Sequence, residues 1–355
     1  MLEKIPAELN YSLLPEWHNH SATQMHWPSN KKTWPGKRLQ KVEYVYLDII
    51  EVLHRYENIH LFVDNRILHE HVVNLLRERN INLDKIIFHI QSINDVWARD
   101  CGPIFVYREG EEEAEYAITD WEYNSWGDKY PPYDSDNKLP SYLASKYGIS
   151  RYEPEMVLEG GSIDTNGDGV LITTESVLLN RNRNPQMTRD DIEQRLQDFL
   201  GIQRVIWLKG GLAGDDTDGH VDDVARFLNK DTILAMRSDI EHDINYKVLD
   251  ENLEILQRAT DRHGYSFAIE TLPLPETRIE DRTVDGSSHV PASYTNFYIA
   301  NEVVLVPLYD ERYDQEALRL FRQYYPGRDI VGIPCADLVW GQGAIHCITQ
   351  PLYGL

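Results

Sequence analysis

A repeated plan constrains this chain more than any single motif: a polar segment leads into a short apolar strand, a turn and a second strand, again and again along 355 residues. Copies begin at Gly102-Pro103-Ile104-Phe105-Val106-Tyr107, with a partner near Tyr116 to Ile118, then at Gly161 to Thr174, Val221 to Met236 and Ser293 to Pro307. Ala344 to Leu352 could open a further copy. The motifs recur roughly every 50 to 70 residues, room for one supersecondary unit per copy, as in radial or stacked repeats. Between them the apolar period predicts amphipathic helices near Arg38 to Tyr56, Ile67 to Arg79, Arg189 to Leu200, Asp243 to Arg262 and Gln315 to Tyr324. Short apolar strands are expected after the helices, at His60 to Val63, Ile86 to Ile90, Arg204 to Leu208, Phe267 to Leu272 and Ile330 to Ile333. A closed ring of mixed α/β units fits this alternation, as does a plain α/β sandwich. The only strongly biased run, Glu109 to Glu115, reads as a charged hairpin turn rather than a linker, so one domain over 1–355 is expected.

Composition narrows the partners. A formal charge of −23 leaves no excess of Lys and Arg to neutralise phosphates, which argues against nucleic-acid binding. The same field would draw in a small cation, although acidity also serves solubility. Cys101, Cys335 and Cys347 make an odd count with no paired spacing, so neither a disulfide framework nor a zinc cluster is implied. Met1-Leu2-Glu3-Lys4-Ile5-Pro6 lacks a basic segment leading into an apolar run, and no stretch of about eighteen apolar residues occurs. A reduced, cytoplasmic setting without a membrane partner is expected. The oligomeric state is left open, a homo-oligomer included.

The segment Gly214 to Asp223 packs five aspartates around one histidine, His220, and reads as a site for a cation. A metal held by carboxylate and imidazole and an organic cation held by carboxylates are both compatible with it. Alternation after Gly219 predicts a strand on which His220 and Asp222 share a face. Gly341 to Gln350 is a glycine-rich approach to Cys347 in an apolar, strand-like stretch; a lone cysteine there is either inert core or a nucleophile. On such a strand His346 faces away from Cys347. Asp100 follows Trp97 just before a turn, where the acid could hold a cation and the indole could wall its flat face. Glu159 stands beside Gly160 and Gly161 at the mouth of a hairpin. Asp164 to Glu175 satisfies the calcium-loop pattern in full, yet its flanks read as strands around a turn and not as helices.

Taken together, the Trp97 to Pro103, Glu159 to Gly161, Asp216 to Arg226 and Gly343 to Gln350 segments, with Pro15-Glu16-Trp17-His18, Ser21-Ala22-Thr23 and Trp27-Pro28, resemble the agmatine deiminase and bacterial peptidylarginine deiminase family over nearly the whole chain. The resemblance implies the pentein fold, a fivefold pseudo-symmetric α/β propeller of ββαβ-type units. It implies Cys347 as nucleophile, His220 as general acid and base, Asp100 and Asp222 as a clamp on a guanidinium substrate, and Glu159 as the group that orients His220. Trp97 and Asp216 would line the substrate site, and neither a metal nor another cofactor would be required. Family members usually carry Asn at the position of Ala344, so a hydrogen bond shaping that loop would be missing. Trp17, Trp27 and Trp34 are expected at the entrance and favour agmatine, whereas Arg181 and Arg183 could recognise the carboxylate of arginine or a peptide. Two rivals remain from the residues themselves: a non-catalytic calcium-binding propeller on the Asp164 to Glu175 loop, and a metallohydrolase using Asp216, Asp218 and His220.

Overall fold

The computed structural model describes residues 4–111 and 113–355; Met1 to Glu3 of the N-terminal segment and Glu112 of the acidic turn lie outside them. Five small mixed sheets account for the strands. In three of them a two-strand antiparallel hairpin is followed by a helix and a third strand parallel to the second. These are Asp164–Thr165, Val170–Thr174 and Arg204–Leu208, then Ala225–Asn229, Thr232–Arg237 and Ala268–Pro273, then Tyr298–Ile299, Val303–Leu308 and Asp329–Pro334. The helices that return the chain are Arg189–Leu200, Tyr246–Arg258 and Asp314–Tyr324.

A fourth sheet pairs Ile104–Glu109 with Ala114–Thr119 and adds Ser150–Tyr152 in parallel, with Ser12–Leu13 at its other edge. Its helix, Leu139–Tyr147, escaped the periodicity argument because it is short, begins with Pro140 in its first turn and stops at Gly148 in the left-handed region. The fifth sheet joins the ends of the chain. Gln350–Leu352 pairs antiparallel with Ala22–His26, which runs parallel to Asn58–Val63 and so on to Ile86–Ile90. The copy that opens near Ala344 is therefore completed by N-terminal strands.

Expected helices and strands are present with adjusted ends: Arg38–Leu53 and Tyr246–Arg258 are shorter than the expected runs, and Arg66–Glu78 is displaced by one residue from Ile67 to Arg79. The apolar side chains between helices and sheets form buried clusters, one built on Val42, Tyr46, Leu61 and Phe62, another on Phe227, Leu234, Phe297 and Phe321. Among the described residues no helix is long and apolar enough to cross a membrane.

Candidate active site

Each sheet delivers its chemistry from the segment just ahead of its first strand. Asp100 lies in the short helix Ala98–Cys101 before Ile104, Glu159 caps the turn Gly160–Ser162 before Asp164, and His220 caps the turn Val221–Asp223 before Ala225. Asn296 precedes Tyr298 and Cys347 precedes Gln350. These segments meet over Gly161, where a Cβ would lie 2.7 Å from Asp100 Oδ1, 2.7 Å from His220 Nδ1 and 3.1 Å from Asp222 Oδ2. Only glycine permits that convergence. The expected strand through His220 is not formed: the strand starts at Ala225, and a tight turn, not a shared strand face, turns His220 and Asp222 toward the same place.

Cys347 likewise sits in a turn and not in a strand, and the backbone there is pinned from the neighbouring repeat. Asn296 Oδ1 accepts from the N–H of His346 at 2.9 Å and of Cys347 at 3.4 Å, while its Nδ2 reaches Cys347 Sγ at 3.2 Å and Asp223 Oδ1 at 3.0 Å. The loop thus has its hydrogen bonds without help from the buried methyl of Ala344. Gly343 packs under Trp97, where a Cβ would come within 2.4 Å of the indole and 3.0 Å of Cys347 Cβ. Burial, then the charges of Asp222, Asp223 and Asp100, push the Cys347 thiol well above its usual range, against the Asn296 hydrogen bond. His346 does not face away: it bonds Asp222 Oδ2 at 2.7 Å and Glu16 Oε2 at 2.9 Å.

The carboxylates differ in state. Asp100 accepts from Gly161 N and from Trp126 Nε1, each at 3.0 Å, yet burial and the nearby charges of Asp222 and Glu159 raise its pKa to about 6 against the pull of His220. For Asp222 burial is outweighed by His346, His220 and Arg226, and its pKa falls below the ordinary value. Burial opposes a charged His220, but Asp100, Asp222, Glu159 and Asp215 together raise its pKa. His220 Nδ1 lies 3.7 Å from Asp100 Oδ1, and neither ring nitrogen has a hydrogen-bond partner.

Glu159 is fully buried and accepts from Arg183 Nε at 2.6 Å, with Oε2 left unpartnered; no hydrogen bond joins it to His220 among the described residues, so its action on that ring is through charge. Arg183 is consumed by Glu159, Asp218, Asn182 and the carbonyl of Thr217, and is not free to receive a substrate carboxylate.

A cavity of about 490 Å³ opens onto Cys347, Asp100 and Trp97 and is bounded by Trp126, Tyr130 and Asp216. Asp216 accepts from the Tyr130 hydroxyl at 2.5 Å, and its pKa is pushed up to about 7, by burial first and by Asp215 and Asp285 after it. Asp218 is tied to Lys129 and Arg183, and Asp215 caps the backbone of Thr217 and His220, so the aspartates around His220 are already partnered within the protein. The expected tryptophan entrance is not formed by Trp27 and Trp34, which are fully buried, nor by Trp17, which packs in the second core cluster. Trp97 and Trp126 take that place. The calcium pattern is a hairpin: Asp164 binds Arg226, Asp168 binds Arg262 and Glu175 binds Arg189 and Lys209. His26, Cys101 and Asp136 stand close enough to share a metal, but each already has hydrogen-bond partners in Asp95 O and Gln24, in Trp97 O, and in the N–H groups of Asn94 and Asp95.

Asn296 and Trp126 have no counterpart among the residues expected from the sequence, and His346 was expected only as a residue facing away from Cys347. Asn296 had a usable signal, since every other copy places a polar group ahead of its first strand. Trp126 did not, because its backbone at φ 56° belongs to an irregular turn.

A family described as Porphyromonas-type peptidyl-arginine deiminase matches residues 12–352. A Legionella pneumophila (strain Paris) protein named "Putative agmatine deiminase" is 34% identical over 346 residues, 97% of this chain and 96% of the relative. The agmatine deiminase of Enterococcus faecalis superposes with a TM-score of 0.89 at 28% identity, covering 99% of this chain and 98% of that one. A cysteine-to-serine variant of C. jejuni agmatine deiminase, solved with substrate bound, gives 0.85 at 27% identity over 97% and 96% of the two chains. The match runs through every segment that faces the cavity, and the chain belongs to the Porphyromonas-type peptidyl-arginine deiminase and agmatine deiminase family, as an agmatine deiminase-like hydrolase.

Proposed function

We propose that the protein deiminates agmatine to N-carbamoylputrescine and ammonia, as a single cytoplasmic domain whose five sheets form a pseudo-fivefold α/β propeller around the site. The observation that carries this reading is the distribution of charge at one cavity: Asp100, Cys347 and Asp216 line it, and the buried Asp222 stands 3.6 Å from Cys347 Sγ. A guanidinium at the inner carboxylates with an ammonium toward Asp216 suits both. Trp97 walls the planar group.

In this reading the Cys347 thiolate attacks the guanidinium carbon to give a tetrahedral adduct. His220, charged through its carboxylate neighbours, protonates the departing amine, and ammonia leaves an S-alkylthiouronium. The now neutral His220 takes a proton from water, whose hydroxide adds to the same carbon. Expulsion of the thiolate gives the ureido product, and the remaining proton leaves as ammonium. Glu159 supports the charged form of His220.

Agmatine is expected to exceed free arginine and short arginine peptides in kcat/KM by about 100-fold, the equivalent of ~2.7 kcal/mol of like-charge repulsion between a substrate carboxylate and the acidic lining. Ammonia release across the three substrates measures this. Equal or faster release from arginine or a peptide would sink the agmatine assignment. One observation favours that second reading: Lys32, exposed at the cavity rim, has no ion-pair partner among the described residues and could meet a carboxylate.

The raised thiol also predicts activation by substrate. A bound guanidinium offsets the negative charge around Cys347, so alkylation by iodoacetamide should gain its thiolate-dependent rise at lower pH when a small guanidinium ligand is present. Identical pH profiles with and without the ligand would defeat this.

A further inference from the structure

We propose that His346, the residue before the nucleophile, is a positioning residue that keeps Asp222 ionised and aims its free oxygen at the substrate. This rests on the reading of Asp222 as a guanidinium clamp. His346 bridges two buried carboxylates, Asp222 at 2.7 Å from Nδ1 and Glu16 at 2.9 Å from Nε2. Glu16 is itself held by Arg99 at 2.6 Å and Arg226 at 2.8 Å, which fixes it as an acceptor, so Nε2 donates. On the other side Nδ1 meets Asp222 Oδ2, and Arg226 and His220 also favour an ionised Asp222. The ring thus bridges two buried carboxylates, one at each nitrogen.

The consequence is geometric. Asp222 Oδ2 is engaged by His346 and also stands 3.6 Å from Cys347 Sγ, whereas Asp222 Oδ1 is buried and has no partner. A buried acceptor without a donor is costly unless a ligand supplies one. Because His346 and Cys347 are consecutive and Asn296 Oδ1 accepts from both their N–H groups, one short turn sets the position of the sulfur and of the clamp together. The other charges facing Asp222 are Asp100, Asp215 and Asp223, all of which oppose its ionisation; Asp164 and Arg99 complete the surroundings of His346.

Two isosteric variants separate the bonds. In His346→Asn the amide nitrogen takes the place of Nδ1 and keeps the bond to Asp222; in His346→Gln it takes the place of Nε2 and keeps only the bond to Glu16. In the wild type the acid limb of log kcat/KM should have a slope of one, from Asp100. In His346→Gln a second group, Asp222, joins it, the slope approaches two, and kcat/KM at pH 6 falls about tenfold further than in His346→Asn. Glu16→Gln, which removes the carboxylate that holds Nε2 and with it the far anchor of the ring, should shift the limb the same way. Circular dichroism and Tm confirm folding, and a purely structural role would lower activity at all pH values alike. Acid limbs of His346→Gln and Glu16→Gln that both superimpose on the wild type would overturn the proposal. Activity that survives Cys347→Ala would overturn the reaction itself, a separate failure.

Discussion

Cys347→Ala is expected to reduce ammonia release from agmatine by about 10⁴-fold or more, the loss that follows removal of a covalent nucleophile. Asp100 and Asp222, the proposed guanidinium clamp, stay in place in this variant, so agmatine should still raise its Tm. Cys335→Ala supplies the contrast. Cys335 is as deeply buried as Cys347, but it lies at the end of the sheet that carries Asp329–Pro334, where its N–H donates to Leu308 O, and it does not line the cavity that opens onto Cys347. It should retain activity. A protein that keeps full activity without Cys347 but loses it to a chelator would instead be a metallohydrolase, with a site that does not depend on the thiol.

What the sequence made legible follows from range. The hairpin, helix and parallel strand of each repeat are local, and periodicity finds them; Arg189–Leu200 and Arg204–Leu208 stand where the pattern put them. Site residues that precede strands at similar places in each copy were legible as motifs. Their contacts were not: Asp222 to His346 and Asn296 to Cys347 cross repeats and join segments that only the closed fold brings together, and Glu159 to Arg183 links the entry of one repeat to the loop ahead of its helix. His220 and Cys347 were read as strand residues because alternation of apolar and polar side chains cannot distinguish a strand from the tight turn that introduces one. Arg183 could be expected to recognise a carboxylate because its charge is visible in the sequence, whereas its burial against two carboxylates of the protein is not.

Arg226 shows how closely the site depends on this buried framework, and its loss should cost more stability than that of any surface charge. The guanidinium is 1% exposed, pairs with Glu16 at 2.8 Å and Asp164 at 3.2 Å, donates to the carbonyls of Thr295 and Phe297, and lies 4.3 Å from the Phe297 ring. Arg226→Met fills part of the volume but removes a counter-charge from two buried carboxylates, Glu16 and Asp164, and about 3–5 kcal/mol should be lost. Urea unfolding measures it as a fall in Cm at constant m. The pH dependence has a definite sign. In the wild type, burial of Glu16 is outweighed by Arg226, His346 and Arg99, and its pKa lies well below the ordinary 4.5. Its contribution is therefore present above that unfolded value and lost as pH falls through the folded one. Without Arg226 the carboxylate would be penalised at neutral pH and relieved by protonation, so the difference between variant and wild type should shrink on acidification. A deficit under about 1 kcal/mol, or one that grows toward acid pH, would mean that Arg226 is not the counter-charge of Glu16. Because the same arginine holds the carbonyls on either side of Asn296, and Asn296 holds the turn that bears Cys347, the variant should also lose activity at temperatures where it remains folded.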